Sequence, residues 1–372
     1  MRQGFKDIGC EVCDLFPLRP AVRVHWLAKK LLHRSLGRYY HWDREPDFLR
    51  VVGRMAEARI RQVKPDFVIA VQSPACAELE VAVPVVLTHD QTFLERLAYV
   101  PFERRAPAEE YVRQALEQEG RSFRTADLIA YPSRSSCDTV QEAYGISASK
   151  LRMAPWGANL PKVPSGAEVD RMIRGRGRDP VVLSAIGVHW ERKGGDTIVA
   201  AYRSLRQSGV NVRLNVIGMT PPTKVDEGIH FLPFVDKSTS DGFRKIADLL
   251  AATHVLVAPS RVEAFGHVFA EAAAFGVPAL AADVGGVSTS INDGVNGRLL
   301  PPGATGEDYA RAVLQLLATP KAYLQVARAS RARFEDDLNW PAFCRTIVDE
   351  VAGLGAAPRR SVHEGADVAR RA

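Results

Sequence analysis

The sequence predicts an α/β protein built of two doubly wound, Rossmann-like domains facing a cleft. Three observations carry this. Short apolar runs recur at 65–71, 84–88, 127–131, 151–155, 181–186, 211–217, 255–258 and 277–281, and most are followed by a stretch of helical length. Runs that are apolar on both alternations suit parallel strands buried on both faces. The 372 residues suffice for two full cores, and a Pro-, Gly- and charge-rich stretch at 160–179 reads as the linker between them. The domains are therefore expected at 1–160 and 161–339, with a last helix at 340–353 and an Ala-, Gly- and Arg-rich disordered tail at 354–372.

Composition narrows the class. With 46% hydrophobic and 25% charged residues the chain can build ordinary globular cores. No stretch approaches the roughly 20 apolar residues of a membrane span, and the polar, mixed residues 1–9 do not read as a secretory signal. Five scattered cysteines, an odd number, fit a reducing cytoplasm. Cys10 and Cys13 fall on an expected strand, where they would face nearly opposite ways, which argues against a redox or metal role. The net charge of +6 is uneven: Arg19 to Lys64 holds twelve Lys/Arg against four Asp/Glu, a local +8 that leaves −2 elsewhere. That asymmetry describes a surface. The basic stretch lacks the interleaved aromatic platform of a nucleic-acid binder, so none is expected as a partner.

In the amino-terminal half, residues 1–9 read as the end of a helix stopped by Gly9, and 11–16 as a strand. Segment 20–40 is amphipathic and basic. Val24, Leu27 and Leu31, with Trp26 and Leu32, can share a face ringed by Lys29, Lys30, Arg34 and Arg38. Two readings stay open: a membrane-surface helix that reaches a lipid-linked acceptor, or a helix covering the sheet with a solvated basic face. Helices follow at 48–63 and 109–125, and Ser133 to Ser136 caps another at 137–144. The strand beginning at Pro84 ends in His89 and Asp90. Ligands of doubly wound sheets sit at that end of a strand, which makes His89 a candidate, with Asp90 a second one. A lone His is more often structural; its position is what recommends it.

In the second half, strand 181–186 ends at Gly187. His189-Trp-Glu-Arg192-Lys193-Gly194-Gly195 then leads into a helix to Gln207. A strand, a glycine turn, a basic pair and a helix start make a place to hold a diphosphate, since Arg offers a fork of donors and Lys a compact charge. A short strand and loop at 230–235 and a helix at 241–252 follow. The richest stretch is 254–303. Strand 255–258 is ended by Pro259 and Ser260, Glu263-Ala264-Phe265-Gly266 turns the chain, and an Ala-rich helix at 268–275 leads to strand 277–281. This unit fixes two carboxylates eight residues apart: Glu263 before the helix and Glu271 inside it. The helix N-terminus between them favours an anion, and Gly266 lets a ligand approach the backbone. One carboxylate would lie near a sugar, the other deeper against a diol.

With its flanks, Ser260-Arg-x-Glu263-Ala-Phe-Gly266, Glu271-Ala-x-Ala-x-Gly276-x-Pro278, Asp283-Val-Gly-Gly286 and Asp293-Gly-x-Asn296-Gly297, this stretch resembles the E-x7-E signature of retaining glycosyltransferases of family 4, which have the GT-B fold. The likeness covers residues 84–350 well and the first 83 more loosely. It implies that Glu263, in the donor loop with Ala264, Phe265 and Gly266, contacts the donor sugar and that Glu271 binds the nucleotide ribose. Gly187, Arg192 and Lys193 would hold the diphosphate, the loop of Phe234 and Val235 would lie against the nucleobase, and His89 would sit near the transferred sugar. The implied catalytic set is His89, Glu263, Arg192 and Lys193. One departure stands out: many members carry an Arg directly after the glycine that ends this strand, and here the residue is Val188.

The resemblance implies front-face transfer assisted by the leaving phosphate, with no protein nucleophile, no metal and no cofactor beyond the nucleotide-sugar substrate. It implies that helix 340–353 completes the first domain. It also implies a central strand and Gly-rich loop before the helix in which this chain opens, so about 20–40 preceding residues forming a βα unit are expected upstream. The expected function is retaining transfer of a hexose from a nucleotide diphosphate sugar to a hydroxyl of a glycan or lipid-linked acceptor. The setting would be cell-envelope synthesis, in the cytoplasm or on the inner face of the plasma membrane. The alternative is a catalytically weak GT-B protein that binds a nucleotide sugar, which Val188 and the missing strand favour. A hydrolase or epimerase with paired carboxylates is a further rival, opposed by the Arg-Lys-Gly site, because a glycosidase has no diphosphate to hold.

Overall fold

The computed structural model describes residues 1–15, 18, 20–177, 179–222 and 226–354. The expected tail, beyond Leu354, lies outside the described residues. The described chain divides into two compact units: Arg2–Ala154 with 344–354, and Pro155–Phe343.

Among its described residues the amino-terminal unit holds four parallel strands in the order in which they occur: β1 (Val68–Ala70), β2 (Val85–Thr88), β3 (Leu128–Tyr131) and β4 (Leu151–Met153). β2 and β3 are buried throughout, as apolar central strands must be. Ile60, Phe123, Val140 and Tyr144, from three flanking helices, close over the sheet to make the core. Those helices begin and end close to expectation, at Pro46–Val63, Glu109–Thr125 and Arg134–Tyr144, the last capped by Ser133 Oγ accepting from the Ser136 amide.

Three sequence expectations fail here. Residues 11–15 form no strand. Their alternation is strand-like, but a strand needs a neighbour for its backbone groups, and β1 pairs only with β2 among the described strands. Cys10 and Cys13 are accordingly off any strand, as free thiols. The basic segment is helical over Val24–Ser35 alone. There only Trp26 is buried, with its indole donating to Asp47 at 3.0 Å and its ring edge-on to Phe48. Val24 (82% exposed), Leu27, Leu31, Leu32 and Leu36 all face outward. Lys29 does not join a free basic face. It turns inward to Glu45 at 2.7 Å and Glu110 at 2.5 Å.

Among its described residues the carboxy-terminal unit holds six parallel strands: β5 (Val181–Ile186), β6 (Val212–Ile217), β7 (Ile229–Leu232), β8 (Val255–Ala258), β9 (Ala279–Ala282) and β10 (Gly297–Leu300), in the spatial order β10-β9-β8-β5-β6-β7. β5 pairs with β6 on one side and β8 on the other, so the winding reverses between β5 and β8. The loops leaving those two strands therefore diverge at a topological switch point, where such sheets bind ligands.

The stretch 160–179 is not a bare linker. Gly166–Gly175 is a helix with a capping box, Ser165 and Glu168 each bonding the other's backbone amide. It buries Val169 and Ile173 in the core of this unit. At its end Arg176, buried, donates to the carbonyls of Leu250 and Ala251 and of Phe275 and Gly276, and to the Tyr323 hydroxyl. It thus satisfies the open carbonyl ends of the helices Ser240–Ala252 and His267–Ala274 with one charge.

Candidate functional site

The loop after β5 and the loop after β8 are joined to each other. Arg192 is buried and donates from Nη1 to the Val262 carbonyl at 3.1 Å, while its own carbonyl accepts from the Arg261 amide at 2.8 Å. The loop after β9 locks in from below. The Gly286 amide donates to the Ala264 carbonyl at 2.7 Å. Gly285 has φ +53°, and a Cβ there would fall 1.9 Å from the Glu263 carbonyl oxygen, so only glycine permits the approach. Gly266, at φ +77°, caps the helix His267–Ala274 in the left-handed region, where a Cβ would strike the Phe269 ring at 2.5 Å. Phe265 is fully buried beneath the turn, and Ala264 lies at its surface, half-buried.

The charged side chains meet in pairs. Lys193 Nζ donates to Glu263, and Ser260 Oγ donates to the same carboxylate oxygen at 3.1 Å. Both partners of the ion pair are nearly buried, with 11% and 9% of their side chains exposed. Gly187 lies under the Lys193 stem, whose carbons would be about 3 Å from any Cβ placed there. Glu271, 2% exposed, pairs with Lys237 and accepts from the Asn159 backbone amide. Burial raises its pKa, and Lys237 only partly offsets that.

Thus Gly187, Arg192, Lys193, Glu263, Ala264, Phe265, Gly266 and Glu271 come together in one unit, at the switch point. Phe234 and Val235 follow β7 in the same unit, with Phe234 73% exposed. Val188, where the resemblance would place an arginine, is an exposed aliphatic. Sequence reasoning missed Lys237. Its pairing with Glu271 spans 34 residues and depends on the fold, so no local motif announces it.

His89 belongs to the other unit, at the carboxyl end of β2. Its Nδ1 lies 2.7 Å from Asp90 Oδ1 and 2.8 Å from the Gln91 carbonyl. Burial pulls its pKa down, but the Asp90 hydrogen bond and charge, with the Gln91 carbonyl, outweigh it and leave the pKa raised. These partners fix the proton on Nδ1 and leave Nε2 as the nitrogen able to accept when the ring is neutral. His89 lines a cavity of 390 Å³ together with Tyr39, Arg44, Phe93, Arg96 and Tyr111. None of those other five was marked by the sequence. Glu119, also lining it, is buried, accepts from the Phe93 amide at 2.7 Å and the Tyr144 hydroxyl at 2.5 Å, and is pushed toward its neutral form by burial.

Known proteins bear on this arrangement. Residues 179–319 match the family described as glycosyl transferases group 1. The D-inositol 3-phosphate glycosyltransferase of Gordonia bronchialis is 28% identical over 224 residues, 56% of this chain and 49% of that protein. The chain spans about half the length of the curated relatives it matches. Among solved structures, sucrose-phosphate synthase from Thermosynechococcus elongatus aligns at TM-score 0.63 and 19% identity, covering 83% of this chain and 79% of that one. HepE of Anabaena, solved in complex with UDP, aligns at TM-score 0.58 and 19% identity over 80% and 82%. It has also been solved with UDP-glucose. The chain thus has the GT-B fold, and residues 179–319 of its carboxy-terminal unit match the glycosyl transferases group 1 family.

Proposed function

We propose that this protein is a retaining glycosyltransferase that moves a sugar from a nucleoside diphosphate donor to a hydroxyl acceptor. The observation that carries the reading is the pair of cation–carboxylate couples at the switch point, Lys193–Glu263 and Lys237–Glu271. A donor offers partners for Lys193 and for both carboxylates. Its diphosphate suits Lys193 and Arg192, its sugar hydroxyls suit Glu263, and its ribose diol suits Glu271. Phe234 and Val235 would meet the base. On transfer, the anomeric carbon loses its bond to the phosphate oxygen and gains one to the acceptor oxygen. The acceptor proton leaves with the nucleoside diphosphate. Lys193, Arg192 and the helix N-terminus after Gly266 favour the charge that grows on that leaving group. HepE, of the same fold, binds UDP and UDP-glucose; this supports a nucleotide-sugar donor.

The acceptor would be a glycan or lipid-linked sugar of the cell envelope, met at the cytoplasmic membrane surface. The outward-facing Val24, Leu27, Leu31 and Leu32 beside Lys30 and Arg34 support that setting. No described helix is long and apolar enough to cross a membrane. A second reading, nucleotide-sugar binding without efficient transfer, has Val188 in its favour.

The test is to incubate the protein with UDP- and GDP-sugars and a cell-envelope extract and to follow release of nucleoside diphosphate and the anomeric configuration of the product by NMR. Retained configuration and an undiminished rate in EDTA are expected. Donor binding with no acceptor-dependent release would favour the second reading, and an inverted product would overturn the retaining one.

A further inference from the structure

The 390 Å³ cavity of the amino-terminal unit is lined by two arginines, Arg44 and Arg96, each with one buried nitrogen that makes no hydrogen bond. Arg44 donates from Nη1 to Ser73 Oγ at 3.2 Å and to the Gln118 side-chain oxygen, and its guanidinium lies 5.5 Å above the Phe93 ring. Its Nε is buried and makes no hydrogen bond, with Asp43 Oδ2 at 3.7 Å. Arg96 gives Nη2 to Glu103, while its buried Nη1 makes no hydrogen bond. A buried donor without an acceptor costs about 1–3 kcal/mol, more when charged, and native proteins rarely tolerate one without a purpose. Here the two arginines that carry such donors line the same cavity.

The rest of the lining gives the occupant a second property. Tyr39, His41 and Phe93 each stand at a steep angle to Tyr111, with ring centroids 5.7, 5.9 and 5.8 Å away. Aromatic walls mixed with amide and hydroxyl groups such as Gln91 and Thr92 suit a hydroxylated ring. Charge continues outward. An adjoining recess shares Tyr39 and Glu103 with the cavity and adds Arg34, Arg104 and Arg105. Across the two recesses five arginines face two glutamates, Glu103 and Glu119.

We propose that this cavity holds the acceptor of the transfer reaction, that the acceptor bears a phosphate received by Arg44 and Arg96, and that its hydroxylated ring packs on the Tyr39–Tyr111 wall. The inference rests on the glycosyl-transfer reading and adds the acceptor's chemical class to it. Guanidinium forks match phosphate oxygens geometrically, and the outer arginines favour the approach of a dianion. The phosphate stays on the acceptor through the reaction; only a hydroxyl of the same molecule gains the sugar.

Calorimetry separates the two anion sites. Glucose 6-phosphate, glucose and inorganic phosphate would be titrated at matched ionic strength into wild type, Arg44→Gln, Arg96→Gln, Arg96→Lys and Lys193→Ala. UDP would be titrated into each as a check on folding and on the donor site. Glucose 6-phosphate should bind wild type at least tenfold more tightly than glucose. Arg44→Gln and Arg96→Gln should weaken it tenfold or more, Arg96→Lys less, and Lys193→Ala not at all. UDP should show the reverse pattern, lost with Lys193→Ala and kept by the arginine variants. Vesicles of phosphatidylcholine with and without phosphatidylinositol supply the other source of the same chemistry. Sedimentation that depends on Arg44 and Arg96 identifies a lipid headgroup, and dependence confined to glucose 6-phosphate identifies a soluble acceptor. If glucose 6-phosphate binds no better than glucose, or is lost with Lys193→Ala and kept by both arginine variants, the inference is wrong while the donor reading stands. If neither UDP nor GDP, titrated in the same way, binds any of the proteins, the transfer reading falls and the acceptor assignment with it.

Discussion

Lys193 is held by Glu263 before any ligand arrives. On the proposed reading a donor diphosphate would take Lys193 over, and its sugar would then give Glu263 new hydrogen bonds. The lysine would meet charge that grows as the leaving group departs, so its contribution would be larger in the transition state than in the ground state. Lys193→Ala should therefore lower kcat as well as kcat/KM, by on the order of 2–4 kcal/mol in barrier for a dry, preorganised site. Steady-state rates with saturating and limiting donor check this; a change in KM alone would make Lys193 a simple binding group. His89 offers a pH test. Its pKa is raised above the usual 6.5, the Asp90 carboxylate and Gln91 carbonyl outweighing burial. A raised pKa adds stability that is fully present below the unfolded value and is lost as pH rises through the folded value. The gap in Tm between wild type and His89→Gln should be wider at pH 5.5 than at pH 8.5. A gap that widens with rising pH would contradict the Asp90 pairing.

At the scale of elements, Arg176 ties the helix Gly166–Gly175 to the ends of two others through buried carbonyls. Arg176→Ala leaves those acceptors unsatisfied, which should cost roughly 3 kcal/mol or more. For a domain of this size that is a fall in Tm of about 6–12 °C. Thermal unfolding should show the fall while nucleoside diphosphate binding below the transition is unchanged. The helix Val24–Ser35 makes a different prediction. Its exposed Leu27 and Leu31 stand beside Lys30 and Arg34, whereas Lys29 is committed to Glu45 and Glu110. Each exposed basic residue near an anionic surface adds about 1 kcal/mol, screened by salt. Vesicle co-sedimentation should fall with Leu27→Ser and Leu31→Ser, with Lys30→Glu and with added salt, and respond less to Lys29→Glu. Equal binding to neutral and anionic vesicles would remove the electrostatic part of this account.

At the scale of the molecule, the elements legible in sequence were those whose signal is local. The helix Glu109–Thr125, the strand Val255–Ala258 and the loop carrying Glu263 and Gly266 all stand where pattern, caps and glycines place them. Local patterns without a tertiary partner misled. Residues 11–15 alternate like a strand yet join no ladder among the described strands. Pro and Gly at 160–179 hid the capping box of Ser165 and Glu168. Of the candidate site, the clustering of Arg192, Lys193, Glu263 and Gly266 was readable because they lie on two short loops. Lys237, Arg44 and Arg96 were not, because their surroundings are brought together by the fold.

The central claim is that Glu263 serves the sugar and Glu271 the ribose, with Lys193 between them on the diphosphate. Calorimetry with UDP, set beside initial rates with the intact donor, tests this most directly. Glu263→Ala should abolish or strongly reduce transfer while UDP binding stays nearly intact, because UDP has no sugar. Glu271→Gln should weaken UDP binding and raise the donor KM with little change in kcat, the signature of uniform binding. If instead Glu263→Ala abolishes UDP binding and Glu271→Gln leaves it untouched, the two carboxylates have been assigned the wrong way round.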